Sequence, residues 1–155
     1  KGSVFTIRLL SSKELPVANS ASSSEAVSPA RNPASRRLSV LAVEDNANTV
    51  RLLELLLADR YEATVVSSGV EALERARERD FDVVLMDIGL ESREAGIDYM
   101  RRLREIDGYD RRPIIAFTAH ALPGEADRYR KLGFDGYLGK PFTAESLEKT
   151  LERYQ

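Results

Sequence analysis

The chain contains no cysteine, no tryptophan and a single histidine among its 155 residues. Without thiols it can form neither disulfides nor thiolate metal sites, and this usage is typical of a reducing compartment. No apolar run approaches the roughly 18 residues that a membrane span needs, and no secretory signal pattern opens the sequence. We therefore expect a cytoplasmic location and no membrane contact by this chain, whether its parent protein is soluble or membrane-anchored.

A basic surface is also missing, because the 23 lysine and arginine residues are balanced by 25 aspartate and glutamate residues. The resulting formal charge of −2 argues against nucleic acid as a partner. No glycine-rich ATP-binding signature is present either, so we expect no stand-alone kinase activity. What is present, 43% hydrophobic and 31% charged residues, suits one globular domain with a buried core.

Composition divides the chain into three parts. Residues 1–10 alternate like a strand, and residues 11–37 are dominated by serine, alanine, proline and asparagine. The second part has too little apolar surface to offset its ordering entropy, which predicts a flexible linker; a loop folded onto the domain is the other interpretation. Residues 38–155 form the predicted domain.

Strand and helix patterns alternate through that domain. The predicted strands cover residues 38–45, 62–66, 83–86, 113–119 and 136–141, and the predicted helices cover 46–60, 68–79, 96–106, a segment starting near Pro123, and 143–154. In the first helix, Thr49, Leu52, Leu53 and Leu56 share a predicted apolar face, and Leu55 falls near the polar side. Parallel neighbours need crossover connections, so five such units predict a doubly wound, flavodoxin-like α/β sheet in the order 2-1-3-4-5.

Polar side chains end four of these strands. Sites in open α/β sheets lie beyond the carboxyl ends of the strands, so we expect these side chains to meet at one edge. They are Glu44 and Asp45 after the first strand, Asp87 after the third, Thr118 after the fourth, and Lys140 with Pro141 after the fifth.

Three carboxylates at one edge repel each other. A pair about 4 Å apart costs roughly 4 kcal/mol at an effective dielectric of about 20, which Lys140 offsets only in part. A divalent cation would offset more, and oxygen ligands in a small hydrated site favour Mg²⁺. Asp87 could then attack phosphorus as a nucleophile. Taken alone, a strand-end aspartate is more often a helix cap; it is the coincidence of four strand ends that favours chemistry.

Residues 38–154 resemble the receiver domains of two-component response regulators. The motifs are "VLAVEDN", "VVLMDIGL", "IIAFTAHAL" and "GYLGKPF", in the order and spacing of that family. The segment "LGKPFTAESLEKTL" is most similar to receivers attached to hybrid histidine kinases.

The resemblance implies a role for each matched residue. Asp87 is the phosphoacceptor, which takes a phosphoryl group from a phosphohistidine. Mg²⁺ is held by Glu44, Asp45, Asp87 and the backbone carbonyl of Gly89.

The other matched residues respond to the phosphoryl group. Lys140 contacts it, and a cis bond is expected before Pro141. Thr118 moves to hydrogen-bond it, and Tyr137 reorients with Thr118.

The loop after Asp87 departs from the family pattern. Glu91 stands where the family usually has proline, and the loop is about one residue longer than usual. Gly89 offers no side chain to keep water from the phosphoacceptor, and His120 is interpreted as a loop residue at the rim of the site rather than a phosphodonor.

The implied partners are a histidine kinase domain, in cis or in trans, a histidine-phosphotransfer protein, or both. The stretch "KGSVFTIRLL" resembles the last strand of a kinase ATP-binding domain; a tag remnant and an incidental strand are the other interpretations. With a first residue that is not methionine, this favours a receiver cut from a hybrid histidine kinase.

Two other functions remain open. A receiver-like interaction module would bind and regulate a kinase without phosphorylation, although such domains typically lose one of the site residues. An aspartate-nucleophile phosphohydrolase usually has a second aspartate two residues after the first, and here Gly89 occupies that position.

Overall fold

The computed structural model describes residues 36–92, 95–119 and 124–155. Strands and helices alternate through these ranges, in the order β1 (Ser39–Val43), α1 (Ala47–Leu57), β2 (Glu62–Val66), α2 (Gly69–Glu78), β3 (Val83–Asp87), α3 (Ala95–Arg104), β4 (Ile114–Thr118), α4 (Glu125–Leu132), β5 (Gly136–Gly139) and α5 (Ala144–Leu151). A short 3-10 turn, Glu152–Tyr154, follows α5. The predictions for residues 1–35, His120 and Pro123 lie outside the described residues.

The five strands form one parallel sheet in the order β2-β1-β3-β4-β5. This order confirms the predicted flavodoxin-like fold. Because β1 and β3 are neighbours while their connections pass on opposite faces, the switch point of the sheet lies between their carboxyl ends.

Side-chain hydrogen bonds fix where three helices begin. The Asn46 side chain accepts hydrogen bonds from the first turn of α1, and the Ser68 side chain accepts one from the Glu71 N–H at the start of α2. Before α5, Thr143 and Ser146 form a reciprocal capping box. These caps satisfy backbone donors that have no partner inside the helix.

The sheet is covered on both faces, and its strand residues alternate between two apolar layers. Leu41 and Met86 pack with the layer that includes residues of α2, α3 and α4. Val40 and Leu85 pack on the other side with residues of α1 and α5. All four residues are 0% exposed. Burial of each side chain contributes about 1.5 to 3 kcal/mol to the stability of the fold.

The predicted apolar face of α1 is wrong in part. Leu53 and Leu57 are the buried residues of this helix, whereas Leu52 is 40% exposed. Leu55, which was placed near the polar side, is 69% exposed. Leucines cover most of the circumference in this stretch, so periodicity alone does not show which of them face the sheet.

The longest described helix, α1, has 11 residues. A helix needs roughly 20 residues to cross a bilayer. Among the residues that the structure describes, no helix is long and apolar enough to span a membrane.

Candidate phosphoacceptor site

The sheet brings the predicted site residues to one edge. Met86 pairs with Val43, so Asp87 lies level with Glu44, which directly follows β1. On the other side of β3, Thr118 ends β4 and pairs with Gly139, the residue before Lys140. The side chains that were predicted to meet therefore all extend from the carboxyl edge.

Three carboxylates converge there. Each of Glu44, Asp45 and Asp87 offers a carboxylate oxygen that lies within 4.8 Å of the others. Glu44 is 1% exposed and Asp87 is 6% exposed, while Asp45 faces solvent. The cluster is thus open on one side and buried on the other, as a site for a small hydrated cation requires.

One ammonium group bridges the two buried acids. The Lys140 Nζ contacts Glu44 Oε2 and lies 3.0 Å from Asp87 Oδ2. The remaining Asp87 oxygen, Oδ1, accepts a hydrogen bond of 3.1 Å from the Gly89 N–H. The Lys140 ammonium also lies 4.4 Å from the centre of the Phe117 ring, which restricts it further. The Asp87 carboxylate is therefore held at both oxygens.

Among the described residues, three carboxylates at this edge contact one ammonium, so the charges of these groups do not balance. Burial raises the pKa of Glu44, and the neighbouring Asp87 adds to the rise, while hydrogen bonding to Lys140 opposes it. The net rise means that the surroundings disfavour the ionised form of this carboxyl group. Oxygen ligands with uncompensated negative charge are the donor set that fits Mg²⁺.

Asp45 is tied to the loop after β3. Its Oδ2 accepts a hydrogen bond of 3.1 Å from the Glu91 N–H. Glu91 has a φ of 51°, a left-handed conformation that the proline ring cannot adopt. The Glu91 carboxylate also accepts a hydrogen bond of 3.0 Å from the Tyr99 hydroxyl. The departure at Glu91 therefore has a structural reason: this loop needs both the backbone N–H and the φ that proline lacks.

Helix α3 presses against the end of β3. A Cβ atom on Gly96 would lie 1.9 Å from the backbone oxygen of Asp87. Only glycine permits this approach, and the Gly96 N–H donates to the Ile88 carbonyl at 3.2 Å. By contrast, among the residues that the structure describes, a Cβ on Gly89 would approach within 4 Å only of Asp87 Oδ1, at 3.8 Å. The backbone at Asp87 is thus packed tightly against α3, whereas the described residues leave room for a Cβ atom at Gly89.

Thr118 hydrogen-bonds a residue that the sequence reasoning missed. Its hydroxyl lies 2.9 Å from the hydroxyl of Tyr129 on α4, and both residues are buried. The Tyr129 ring stacks on that of Tyr137, with centres 6.3 Å apart, and Tyr137 is 39% exposed. An aromatic residue in the otherwise polar stretch "EADRYRKL" was the available signal, because a buried tyrosine hydroxyl usually finds a partner.

The remaining predictions concern geometry at the rim. The peptide bond between Lys140 and Pro141 is cis, as expected. His120 lies outside the described residues.

Comparison with known proteins places the chain in a family. Residues 40–152 match the response regulator receiver domain. The chain belongs to this family, whose members are the phosphoacceptor domains of two-component systems.

Curated relatives include both kinase-linked and free-standing receivers. The chain is 33% identical over 128 residues to the signal transduction histidine-protein kinase BarA of Escherichia coli (strain K12), covering 82% of this chain and 14% of that protein. It is 36% identical over 117 residues to the polar-differentiation response regulator DivK of Brucella ovis, covering 75% of this chain and 94% of DivK. The chain thus spans about one seventh of the length of the kinase that it resembles.

Solved structures give the same result. The chemotaxis protein CheY4 of Vibrio cholerae superposes with a TM-score of 0.70 at 31% identity, covering 77% of this chain and 99% of CheY4. The receiver domain of the sensor histidine kinase PA1611 from Pseudomonas aeruginosa has a TM-score of 0.68 at 34% identity, covering 76% and 97% of the two chains. That receiver structure holds a magnesium ion coordinated in its active site cleft.

Proposed function

We propose that this chain is a phosphorelay receiver in which Asp87 accepts a phosphoryl group from a phosphohistidine. The observation that carries this proposal is the Asp87 carboxylate itself. Lys140 lies 3.0 Å from one of its oxygens, the Gly89 N–H lies 3.1 Å from the other, and two further acids lie beside it. A buried charge costs free energy unless it is paired, so a carboxylate at the end of the otherwise apolar strand β3 favours a chemical role.

The same acids provide a site for Mg²⁺. Glu44, Asp45, Asp87 and the backbone carbonyl of Gly89 would hold the ion, since they are hard oxygen donors with unbalanced charge. When bound, the ion supplies positive charge that lowers the repulsion between Asp87 and an incoming phosphoryl group.

The transfer is a nucleophilic displacement at phosphorus. An Asp87 carboxylate oxygen forms a bond to phosphorus while the phosphorus–nitrogen bond of the phosphohistidine breaks. The electron pair of that bond stays on the imidazole, which is restored after proton exchange with solvent. Lys140 balances charge that grows on the phosphoryl oxygens, because its ammonium is already beside Asp87.

Thr118 and Tyr137 form the proposed switch. A phosphoryl group adds nearly two negative charges and strong acceptors, toward which the Thr118 hydroxyl can turn. Tyr137 stands half-exposed on β5, where its reorientation would alter the surface next to α4. The Thr118 and Lys140 contacts with the phosphoryl group are charge-assisted hydrogen bonds at about 1.5 to 3 kcal/mol each, enough together to shift a two-state equilibrium strongly.

The proposed donor is a histidine kinase domain or a histidine-phosphotransfer protein, and the proposed parent chain is a hybrid histidine kinase. Helix α1 starts at the site, immediately after Asn46, and exposes Leu52 and Leu55 on neighbouring turns. We infer that this strip contacts the helices that present the phosphohistidine. Replacing Leu55 by serine should slow transfer from a phosphotransfer protein and leave loading by acetyl phosphate unchanged. Equal transfer rates in the two proteins would contradict this docking site.

Exposure to Mg²⁺ and acetyl phosphate separates the candidate functions. A receiver takes up one phosphoryl group, at Asp87, and Asp87→Asn takes up none. Sustained turnover of varied phosphate esters would instead indicate a phosphohydrolase. No modification, together with no binding of beryllofluoride, would favour an interaction module that regulates a kinase without phosphorylation.

A further inference from the structure

The hydrogen bond between Thr118 and Tyr129 has no part in the phosphoryl transfer described above. The two hydroxyl oxygens lie 2.9 Å apart. Thr118 is 2% exposed and Tyr129 is 3% exposed, so the bond is shielded from water. Tyr129 is also the only residue of α4, Glu125–Leu132, that is buried. The helix therefore buries one side chain fully, and that side chain carries a hydroxyl group bonded to Thr118.

The Thr118 side chain lies on the α4 side of the sheet, and the bond orients its hydroxyl toward Tyr129. Ile114 and Ala116 pack in the same apolar layer as Tyr129. Alternate residues of a strand point to the same face of the sheet, so Thr118 points to that layer as well. Staggered rotamers of a threonine move its hydroxyl oxygen by roughly 2.3 Å. A hydroxyl that turns from this position toward a phosphoryl group on Asp87 cannot keep its 2.9 Å contact with Tyr129.

We propose that Tyr129 is a positioning residue that holds the Thr118 hydroxyl in the resting state and competes with the phosphoryl group for it. The inference rests on the proposed function, because it requires Thr118 to turn toward a phosphoryl group on Asp87. Phosphoryl oxygens are charged acceptors and form the stronger hydrogen bond, so Thr118 turns when Asp87 is phosphorylated. The Tyr129 bond sets how far the resting state is favoured before that happens.

The same residue links Thr118 to the protein surface. The Tyr129 ring packs edge-on against Phe134, with centres 6.1 Å apart, and stacks on Tyr137 at 6.3 Å. When the Thr118 hydroxyl leaves, the ring keeps these contacts and loses its polar anchor. Tyr137 and α4 then change together, which couples the phosphoryl group to the surface formed by α4 and β5.

Replacing Tyr129 by phenylalanine tests the inference, because it removes the hydroxyl and keeps the ring. The whole 155-residue chain is titrated with beryllofluoride in the presence of Mg²⁺, and binding is measured by isothermal calorimetry. Loss of one neutral hydrogen bond that stabilises only the resting state should tighten beryllofluoride binding by about two- to tenfold. Acetyl phosphate should also phosphorylate the Tyr129→Phe variant faster than the wild type.

Two controls separate positioning from a general loss of structure. In a Thr118→Ala background, the Tyr129→Phe change should leave beryllofluoride affinity unaltered, since the competing hydroxyl is gone. The second control is Tyr109→Phe, which deletes another buried tyrosine hydroxyl, one that accepts from the Phe81 N–H at 3.0 Å at the other edge of the sheet. It should lower the thermal unfolding midpoint and leave beryllofluoride affinity as in the wild type.

The outcomes distinguish this inference from the proposed function. If the Tyr129→Phe variant binds beryllofluoride no more tightly than the wild type, the inference is overturned and the proposed function is not. Equal tightening in the Thr118→Ala background would have the same consequence. A wild-type chain that binds no beryllofluoride would overturn the proposed function and the inference with it.

Discussion

The two edges of the sheet both carry buried or half-buried acids, but they treat them differently. At the amino edge, the Asp82 carboxylate accepts hydrogen bonds from the Ser39 N–H at 2.8 Å, the Ser39 hydroxyl at 2.9 Å and the Arg36 guanidinium at 2.9 Å. Arg112 adds a further contact at 3.3 Å. At the carboxyl edge, three acids lie together, and Lys140 is the one cation among the described residues that forms an ion pair with Glu44 or Asp87.

This difference distinguishes an acid with a structural role from acids with a chemical role. An acid whose charge and lone pairs are met by fixed donors, such as Asp82, holds the chain together. Acids that are brought together without enough positive charge cost stability, and such an arrangement persists where it serves a function. The carboxyl edge is therefore the candidate site, and four changes probe the contrast.

The change with the greatest consequence is Asp87→Asn. The variant should accept no phosphoryl group, because an amide oxygen is not a competent nucleophile. It should keep the wild-type fold, since the substitution is isosteric and removes a charge from a crowded edge. Phosphorylation is followed by intact-protein mass spectrometry and folding by circular dichroism. Residual labelling of the variant would show that the phosphoryl group resides elsewhere.

Asp82→Ala is the matching change at the amino edge. In contrast to Asp87→Asn, it should lower stability and leave phosphorylation intact. Removing this carboxylate takes an acceptor from the Ser39 N–H and the Arg36 guanidinium, and leaves Arg112 with its longer ion pair to Asp80, at 3.9 Å. The unfolding free energy should fall by about 2 to 3 kcal/mol. Phosphorylation of the protein that remains folded should proceed at the wild-type rate. Urea unfolding and acetyl phosphate labelling check the two parts; a variant of wild-type stability would remove the contrast between the edges.

Gly89→Leu tests how water reaches the phosphoaspartate. Among the described residues, a Cβ atom at this position would approach within 4 Å only of Asp87 Oδ1, at 3.8 Å, so a β-carbon can be added without a clash with them. A leucine beside the phosphoryl group should exclude water and lengthen the lifetime of the phosphoaspartate severalfold. Gly89→Ala, which adds only the methyl group, should have a smaller effect. Identical decay of labelled wild-type protein and both variants would dismiss a role for the open position.

Glu44→Gln should produce the smallest change, a gain in stability. Burial raises the pKa of Glu44, so its ionised form opposes folding, and a group of this kind loses stability as the pH rises through its folded pKa. Without Mg²⁺, the glutamine variant should therefore unfold at a higher temperature than the wild type near neutral pH. Added Mg²⁺ should raise the midpoint of the wild type and have little effect on the variant. A lower midpoint for the variant without Mg²⁺ would show that the Lys140 ion pair outweighs burial.

Much of this arrangement could be predicted from the sequence, because strong local patterns fixed it. Buried parallel strands read as apolar runs, and the position of an acid at the end of such a run gives its edge in the sheet. The observed strand order confirms the predicted fold. Glu44, Asp45 and Asp87 lie together at the carboxyl edge, and Lys140 contacts Glu44 and Asp87 there.

What could not be predicted depended on tertiary contacts. The apolar face of α1 was misplaced because leucines surround the helix and only packing selects Leu53 and Leu57. The conformation of Glu91 depends on its hydrogen bond to Asp45, 46 positions away. The partnership of Tyr129 with Thr118 joins a helix to a strand end, and no periodicity encodes which hydroxyl a buried tyrosine meets.

The account is tested most directly by transfer from a phosphohistidine donor. A phosphorylated histidine-phosphotransfer protein is mixed with the chain, with Mg²⁺ or with a chelator, and the modified residue is located by fragment mass spectrometry. We expect a gain of about 80 Da at Asp87 that depends on Mg²⁺. A phosphoryl group on any other residue, or a chain left unmodified by donors that load related receivers, would contradict the claim that this edge of the sheet captures phosphorus.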